Sequence, residues 1–348
     1  MEFNLSMLQF KWIPRTTFWS RRTSHGNGTK IISATEGKVE YTEVMEKRIY
    51  YQVKDSDLPC VVREALRTRL GLSEHQVRSA KFRPGGICVN QMPARVNTPL
   101  ASADVVEILL EQKEILPGNL EAVSGPLDIL YEDEDLLAVN KPAGTALHPA
   151  HGHYRDTLSN YVLWYYKEQG ISTEVRSIGR LDKDTSGVVL FAKNQVAAAR
   201  LWEKGRLRKE YLALAAGHLK EKQGCVEKPI GKKAEALNEM ELSHTGKYAK
   251  TYYRVLEEYR DCSLVWLTLE TGRTHQIRIH MASLGHPLLG DSVYGKCEND
   301  GGICRTALHC GRMVLQQPFT GTTLEIQAPL PADMRKVIQE HQEEGEDD

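Results

Sequence analysis

The chain lacks several features that would assign it to common protein classes. No apolar run in its 348 residues approaches the ~18–20 residues that a membrane-spanning helix needs, which argues against a membrane-embedded protein. Its seven cysteines are dispersed, without a C-x-x-C pair, so neither a disulfide framework nor a zinc site is predicted. We therefore expect reduced thiols and a cytoplasmic protein.

Familiar catalytic motifs are also missing. The sequence contains no G-x-x-x-x-G-K-[ST] phosphate loop, no strand-linked G-x-G-x-x-G, no G-x-S-x-G elbow and no H-E-x-x-H. His275 and His280 are five residues apart, so they do not share one helical face and are expected to cap or pack rather than to bind metal. These absences favour a reaction that uses no cofactor and no metal.

The net charge of −1 conceals an uneven distribution. The last nine residues, Glu340–Asp348, carry six acids and no Lys or Arg. We expect residues 333–348 to form a solvated, disordered acidic tail. Residues 1–40 are expected to form a poorly ordered extension. An export signal is not predicted, because most of its positive charge follows the apolar residues.

Residues 41–113 are predicted to form a small α+β RNA-binding domain. Apolar residues at helical spacing end at Gly71, Ser73 and Gln76 form a capping-box pattern, and short strands follow at Ile87–Val89 and Val105–Leu110. Seven basic residues oppose only two acids between positions 61 and 95: Arg63, Arg67, Arg69, Arg78, Lys81, Arg83 and Arg95. A solvated face would explain two or three of these charges, whereas the local excess favours contact with a phosphate backbone.

After a linker at residues 114–126, the pattern indicates a second, larger domain at residues 127–332. Leu127–Val139 is typical of a hairpin, and Asp156 is a suitable N-cap for a helix from Thr157 to Glu168. The alternation of Leu264, Trp266 and Leu269 predicts a strand. Because no repeating βαβ rhythm is present, the class is predicted to be α+β rather than doubly wound.

Blocks in this larger domain have an informative order. They are G-R-L-D-K-D-T-S-G at 179–187, K-E-Y at 209–211, G-R-T-H-Q-I-R-I-H-M-A at 272–282, G-H-P-L-L-G-D at 285–291 and Y-G at 294–295. The chain from Tyr41 to Pro331 thereby resembles the RluA-type pseudouridine synthases. The smaller domain resembles the S-four-like RNA-binding domain often found ahead of that catalytic domain.

The resemblance implies a pseudouridine synthase fold, with a central mixed, mainly antiparallel sheet. It also implies isomerisation of uridine in RNA, in which the N1–C1′ bond breaks and a C5–C1′ bond forms without a cofactor. We expect a monomer that acts on large-subunit ribosomal RNA, with transfer RNA as the alternative substrate.

The resemblance assigns three catalytic residues. Asp182 is the carboxylate that acts at the sugar, Arg278 is its salt-bridge partner, and Tyr211 stacks on the uracil and handles the C5 proton. A dry pocket raises the pKa of a carboxyl group, whereas a cation within ~4–6 Å lowers it, so a buried arginine partner is physically reasonable. Whether Asp182 attacks C1′ or removes a sugar proton stays open.

Further residues are assigned to RNA binding. By resemblance, Arg180 fills the gap that a flipped nucleotide leaves, and Lys209 contacts phosphate or supports the pocket. Arg273 and His275 belong to the third block, and the basic residues of the small domain complete the set. Gly179 departs from the histidine that many RluA-type enzymes have before the arginine, which makes substrate choice less certain.

Two other functions are compatible with parts of the pattern. A non-catalytic RNA-binding or ribosome-assembly protein could keep the fold, but it would be favoured only if Asp182 or Arg278 were replaced. A glycosidic hydrolase would need a second carboxylate at a set distance, for which Asp184 and Asp291 are weak candidates.

Overall fold

The computed structural model describes residues 29–35, 38–44, 47–110, 120–150, 152–203, 205–233, 239–295 and 302–343. The predictions for residues 1–28, for residues 111–119 of the linker and for residues 344–348 of the tail lie outside these ranges. The chain divides into two compact units, Met1–Glu46 and Lys47–Asp348. Within the described residues, no helix is both long and apolar enough to cross a membrane.

In the first unit, a β-hairpin occupies part of the extension that was predicted to be poorly ordered. Strand β1 (Thr29–Thr35) pairs antiparallel with β2 (Lys38–Val44). β-Branched residues recur in both strands and β2 also contains Tyr41, and these residue types favour extended backbone. Because Tyr41 lies inside β2, the predicted boundary at that residue moves to Lys47, where the second unit begins.

The second unit starts with a small α+β module, called the basic module below (Lys47–Leu110). Its elements are β3 (Lys47–Gln52), α1 (Val62–Glu64) continuing into a π-helical turn (Ala65–Arg69), α2 (Glu74–Lys81), β4 (Ile87–Val89), β5 (Met92–Pro93) and β6 (Val105–Leu110). The strands form an antiparallel sheet in the order β3-β6-β4-β5. Ser73 and Gln76 form the predicted capping box, with bonds of 3.2 and 2.8 Å.

The large domain follows, and most of its elements are strands. These are β7 (Ile129–Glu132), β8 (Leu136–Lys141), β9 (Arg176–Ile178), β10 (Ser186–Ala192), β11 (Leu207–Ala216), β12 (Gln223–Glu227), β13 (Ile230–Lys232), β14 (Met240–Leu242), β15 (Lys250–Glu258), β16 (Cys262–Leu269), β17 (Leu308–Gln316) and β18 (Thr323–Gln327). The helices are α3 (Leu158–Glu168), α4 (Gln195–Leu201), α5 (Gln276–Ser283) and α6 (Ala332–Glu343).

A ten-stranded sheet is the centre of this domain. Its main path is β12-β15-β16-β11-β17-β10-β8-β7, with β18 beside β17 and β9 beside β10. The pairing of β10 with β17 is parallel, and the other neighbours in this sheet are antiparallel. Every residue of β10 is buried, which explains the apolar run from Val188 to Ala192 that follows its first two residues. The predicted α+β class with a mixed, mainly antiparallel sheet is confirmed.

Helix α3 begins one residue later than the sequence suggested. Its N-cap is Thr157, whose hydroxyl accepts a hydrogen bond from the Asn160 N–H, while the Asn160 side chain accepts one from the Thr157 N–H. The residue predicted as the N-cap, Asp156, instead places its Oδ2 at 2.5 Å from Nδ1 of His153. Asp and Thr both favour N-cap positions, so two adjacent candidates could not be separated from sequence alone.

The predicted acidic tail is also partly ordered. Helix α6 runs through Ala332–Glu343, and its Met334 and Val337 side chains are buried against Leu214 and Leu264 of the sheet. Burial of these apolar residues stabilises the helix, and Lys336 pairs with Glu340 on it at 3.4 Å. The tail that the composition predicted from residue 333 therefore cannot begin before residue 344.

Helix α4 joins the basic module to the large domain. The guanidinium of Arg200 donates hydrogen bonds to the Leu70 carbonyl in the module and to the Pro318 carbonyl in the large domain, at 2.9 and 2.6 Å. It also lies 4.9 Å from the ring centroid of Phe319. Val196, from the same helix, packs into the apolar core of the module. These contacts fix one end of the module against α4.

Candidate active site

A cavity of about 640 Å³ lies where three of the sequence blocks meet. Its walls come from the segment before β10, from the start of β11 and from the turn between β16 and α5. Every predicted catalytic residue and four of the predicted RNA-binding residues line it: Asp182, Tyr211, Arg278, Arg180, Lys209, Arg273 and His275. These seven residues, which lie up to ninety-eight positions apart in the sequence, therefore line the same cavity.

Asp182 is held at the cavity wall by its own backbone. It follows β9 and precedes β10, and its carbonyl accepts a hydrogen bond from the Thr185 N–H at 3.2 Å. The side chain is 22% exposed, and its Oδ1 lies 3.8 Å from Nη2 of Arg180. The Arg180 side chain is itself 67% exposed. Asp182 is thus accessible from the cavity while the chain around it is fixed.

The side chain of Lys141 binds the backbone of the segment that contains Asp182. Its side chain is completely buried, and Nζ donates to the carbonyls of Pro142, Thr145 and Lys183 at 2.9, 2.8 and 2.7 Å. Burial lowers the pKa of Lys141 to about 7, against the opposing charges of Asp184 and Asp182. Because an ammonium has three donors, these three carbonyls satisfy it fully. One of them belongs to the residue after Asp182, so Lys141 restrains the position of that carboxylate.

The prediction that Arg278 forms a salt bridge with Asp182 is wrong. Arg278 makes a two-point ion pair with Asp291 instead, through Nε to Oδ2 at 2.6 Å and Nη2 to Oδ1 at 2.7 Å. Asp182 still acts on Arg278 through its charge, but beyond salt-bridge distance. Sequence could not separate the two acids, because a carboxylate 13 residues after the arginine is as plausible a partner as one in another block.

The Arg278–Asp291 pair is buried, with the two side chains 9% and 0% exposed. Burial favours the neutral form of Asp291, but the hydrogen bond and charge of Arg278 outweigh it, so its pKa lies below the usual value. The Asp291 carboxylate also accepts the backbone N–H groups of Val293 and Tyr294 at 3.0 and 3.1 Å. Since these partners occupy both of its oxygens, Asp291 is poorly suited to act as a second hydrolytic carboxylate.

Tyr211 is an aromatic residue of the cavity wall, and it is almost fully buried. It is 6% exposed and lies at an irregularity in the pairing of β11 with β17. Burial, together with Cys310 and the charge of Asp182, raises the pKa of Tyr211 well above its usual value. The phenol therefore stays protonated at working pH. It can stack on a base or donate a hydrogen bond, and it is a poor phenolate base.

The ammonium group of Lys209 lies close to the backbone of Gly179. Lys209 Nζ lies 3.4 Å from the Arg180 carbonyl, and a Cβ added at Gly179 would lie 3.0 Å from that same Nζ. Gly179 also has φ of +75°, a backbone conformation that other residues seldom adopt. The glycine that departs from the family pattern thus leaves room for the ammonium beside the backbone of Arg180.

The turn before α5 positions the remaining cavity residues. The Gln276 side chain accepts from the N–H of Arg273 at 3.0 Å and donates to the Lys250 carbonyl at 2.9 Å. His275, at φ +55°, is the N-cap of α5, and its Nδ1 lies 3.0 Å from the Tyr294 hydroxyl. Burial, and next the charge of Arg278, lower the pKa of His275, which favours a neutral imidazole.

The predicted RNA-binding residues of the basic module do not line the cavity. Arg63, Arg67, Arg78 and Lys81 are exposed, and Arg83 is half-buried. Nη1 of Arg67 lies 2.6 Å from Oε2 of Glu74, so this acid offsets the positive charge of one of these five basic residues. The module therefore presents a basic surface that is separate from the cavity walls.

His280 is a packing residue, as the sequence predicted. Its Nε2 donates to the Lys228 carbonyl at 3.0 Å, and its Nδ1 lies 2.8 Å from the Thr251 hydroxyl. In the part of the chain that the structure describes, no three His, Cys, Asp or Glu side chains form a group that could hold a metal ion.

Comparison with known proteins agrees with this geometry. Residues 135–283 match the family model described as RNA pseudouridylate synthase. The chain is also 40% identical over 259 residues to the uncharacterised RNA pseudouridine synthase YhcT of Bacillus subtilis, in a match that covers 72% of this chain and 83% of that protein. The chain belongs to the RluA-type RNA pseudouridine synthases. It is therefore an isomerase, as predicted.

Other similarities support the same family. Ribosomal large subunit pseudouridine synthase D of Vibrio vulnificus is 38% identical to this synthase over 266 residues, covering 70% of this chain and 81% of the relative. The solved structure titled human RNA pseudouridylate synthase domain containing 1 has 27% identity and a TM-score of 0.50. That match covers 66% of this chain and 98% of the other. The pseudouridine synthase fold is thus confirmed.

The structure adds cavity residues that the sequence motifs did not reveal. Trp202, Leu207 and Arg208 line the cavity of the synthase but lie outside every recognised block. Lys141, which holds the Asp182 segment without lining the cavity, lies in the sequence N-K-P-A-G at 140–144, also outside these blocks. One signal in the sequence could have drawn attention to Lys141: it ends a strand that begins with four apolar residues, Leu136–Val139.

Proposed function

We propose that this synthase isomerises uridines in large-subunit ribosomal RNA to pseudouridine, with Asp182 as the catalytic carboxylate. The observation that carries the proposal is the meeting of Asp182, Tyr211 and Arg278 in one cavity. The choice of RNA is supported by relatives that are named ribosomal large subunit pseudouridine synthases. Such a substrate would place the enzyme in the compartment of ribosome assembly, for which we propose the cytoplasm.

The proposed reaction leaves the elemental composition of the nucleotide unchanged. The N1–C1′ bond breaks, the uracil turns within the cavity, and the C5–C1′ bond forms. C5 loses its proton, and N1 gains one. Asp182 either adds to C1′ or removes a proton from the sugar at C2′. In both routes the reacting group is the Asp182 carboxylate, whose Oδ1 lies 3.8 Å from Nη2 of Arg180.

Tyr211 provides the surface on which the detached uracil rests. A base leaving its helix loses stacking worth a few kcal/mol, and an aromatic platform returns about 1–3 kcal/mol of it. Because the phenol is protonated, we propose that water or a carboxylate receives the C5 proton. The 67% exposed side chain of Arg180 reaches outward from the same wall, where it can occupy the space of the flipped nucleotide.

The basic module positions the RNA. Its exposed Arg63, Arg78 and Lys81 can neutralise phosphates and release counterions, which gives affinity without sequence reading. Lys209, Arg273 and His275 contact the RNA closer to the reacting nucleotide, at the cavity wall. Binding by the module and chemistry in the cavity are therefore separable functions in this proposal.

The test is a map of pseudouridines in ribosomal and transfer RNA from cells that lack the synthase. The same cells are complemented with the wild type or with Asp182→Asn. We expect at least one large-subunit uridine to be converted only with the wild type. An identical map in all three samples would contradict the proposal, and a difference confined to transfer RNA would overturn its choice of substrate.

A further inference from the structure

Trp202 is unusually placed for a tryptophan. It is 66% exposed at the C-terminal end of α4, and it lines the same cavity as Asp182. The other tryptophans in the described ranges, Trp164 and Trp266, are half-buried, and Trp266 lies 5.6 Å from the guanidinium of Arg254. A large aromatic surface left open beside a cavity favours contact with a ligand over a role in the core.

Exposed arginines share the cavity lining with this indole or follow it closely in the sequence. Arg208 lines the same cavity and is 59% exposed, although it also pairs with Glu210 at 2.7 Å. Arg180 is 67% exposed on the adjacent wall. Arg206 is 49% exposed and pairs with the equally exposed Glu203 at 3.3 Å. An aromatic face among exposed guanidinium groups is complementary to the base and phosphate of a single-stranded nucleotide.

The position of α4 adds an independent argument. Two residues before Trp202, Arg200 binds the Leu70 carbonyl at the end of the first helical segment of the basic module. One short helix therefore contacts the module at Arg200 and the cavity at Trp202. RNA that reaches from the module to the cavity has this helix end on its route.

We propose that Trp202 stacks on an unpaired nucleotide adjacent to the uridine that enters the cavity, while Arg208 contacts the phosphate between them. The inference rests on the proposed function, and it narrows the substrate class to uridines with an unpaired neighbour, in loops, bulges or single strands. Flipping a uridine leaves its neighbour without a stacking partner, and the indole supplies one.

The test uses single-stranded pentauridylates and the full-length Asp182→Asn protein, which binds without turnover in our account. One oligonucleotide is intact, and two others have an abasic site on the 5′ or the 3′ side of the central uridine. Each is titrated against Asp182→Asn alone and against the double variants that add Trp202→Ala, Trp202→Phe or Tyr154→Ala. Tyr154 is the matched control, because it is 65% exposed and lies outside the cavity lining.

We expect Trp202→Ala to weaken binding of the intact oligonucleotide about tenfold, which corresponds to about 1.4 kcal/mol. Trp202→Phe should retain most of the affinity, and Tyr154→Ala should leave it unchanged. One of the abasic sites should weaken binding when Trp202 is present and have no further effect in Trp202→Ala. That loss of coupling is the signature of stacking between the indole and the missing base.

The proposal is overturned if Trp202→Ala binds all three oligonucleotides as its parent does, or if both abasic sites cost the same with and without the indole. It is also overturned if Trp202→Ala changes only self-association in light scattering, since that would assign the surface to a protein contact. These outcomes are independent of turnover. If the wild type converts no uridine in any RNA, the proposed function fails, and the coupling still reports on stacking.

Discussion

Arg278 and Asp291 are joined by two hydrogen bonds of 2.6 and 2.7 Å in a nearly dry part of the cavity wall. The pair aligns the guanidinium, whose carbon lies 5.1 Å from the ring centroid of Tyr294. Asp291 therefore acts as a positioning residue. Its two hydrogen bonds hold the Arg278 guanidinium in place. The charge of Arg278 also interacts with that of Asp182, which lies beyond salt-bridge distance.

Replacing Asp291 by Asn should destabilise the fold and slow the reaction. The change leaves a buried guanidinium without its counter-charge, a class of change that costs about 3–5 kcal/mol. We expect a loss of unfolding free energy of about 3 kcal/mol in urea and a turnover at least tenfold lower.

Asp333→Asn is the matched control for that variant. Asp333 makes the same two-point contact with Arg305, at 2.7 and 2.9 Å, but its side chain is 40% exposed. The Arg305 guanidinium is itself only 10% exposed, but it also donates hydrogen bonds to the carbonyls of Asp184, Thr306 and Leu308. Because these bonds remain and the lost carboxylate is partly solvated, we expect a cost near 1 kcal/mol or less. If the two variants lose the same unfolding free energy, burial of the Arg278–Asp291 pair does not explain the cost of removing its charge.

The salt dependence of RNA binding should reveal the basic module. Arg63, Arg78 and Lys81 are exposed on the module and are changed together to Gln. Each lost phosphate contact lowers the slope of log affinity against log salt by about 0.7–0.9, so the triple variant should lose about 2 units of slope. Filter binding to large-subunit ribosomal RNA at several salt concentrations measures this.

The control for that experiment changes Lys167, Lys220 and Lys336 to Gln. These lysines are exposed on the large domain and its last helix and lie outside the cavity lining. The change in net charge is the same as in the module variant. If both triple variants lose the same slope, the effect is one of overall charge, and the module has no special part in binding.

The protein should become less stable as the pH is lowered, because of His309. This residue is 1% exposed, lies 2.9 Å from the Ser186 hydroxyl and donates through Nε2 to the Ala328 carbonyl. Burial lowers the pKa of His309 to about 4. The unfolded chain takes up a proton below about pH 6.5, whereas the folded chain does so only near pH 4, so this contribution is complete above pH 6.5 and is lost on acidification.

The expected size of this effect is about 2–3 kcal/mol between pH 7.5 and 4.5. Urea unfolding of the wild type and of His309→Gln across this range measures it, and the variant should show a flatter dependence by that amount. His244→Gln, at an exposed histidine, should leave the dependence unchanged. A variant curve parallel to that of the wild type would mean that His309 titrates alike in both states.

Much of the site was predictable because its residues lie in contiguous blocks. Asp182, Tyr211 and Arg278 each belong to a motif whose order along the chain carries the information, and the cavity brings them together. The α+β class was predicted from the hairpin pattern and the missing βαβ rhythm, and the mixed, mainly antiparallel sheet was implied by the family resemblance.

What the sequence did not reveal depends on contacts between distant segments. The choice of Asp291 over Asp182 as the partner of Arg278 is set by packing, since both acids are chemically suitable. Trp202 belongs to no motif, and only the end of α4 brings it to the cavity. The order of α6 depends on burial of Met334 and Val337, which a composition dominated by acids concealed.

The central claim is that the carboxylate of Asp182 carries the isomerisation. The most direct test is release of tritium from ribosomal RNA transcripts labelled with [5-³H]uridine, because C5 loses its hydrogen only when the new bond forms. Wild-type protein should release tritium, and Asp182→Asn should release none above background while it binds the transcript with similar affinity. Release by Asp182→Asn at the wild-type rate would contradict the account.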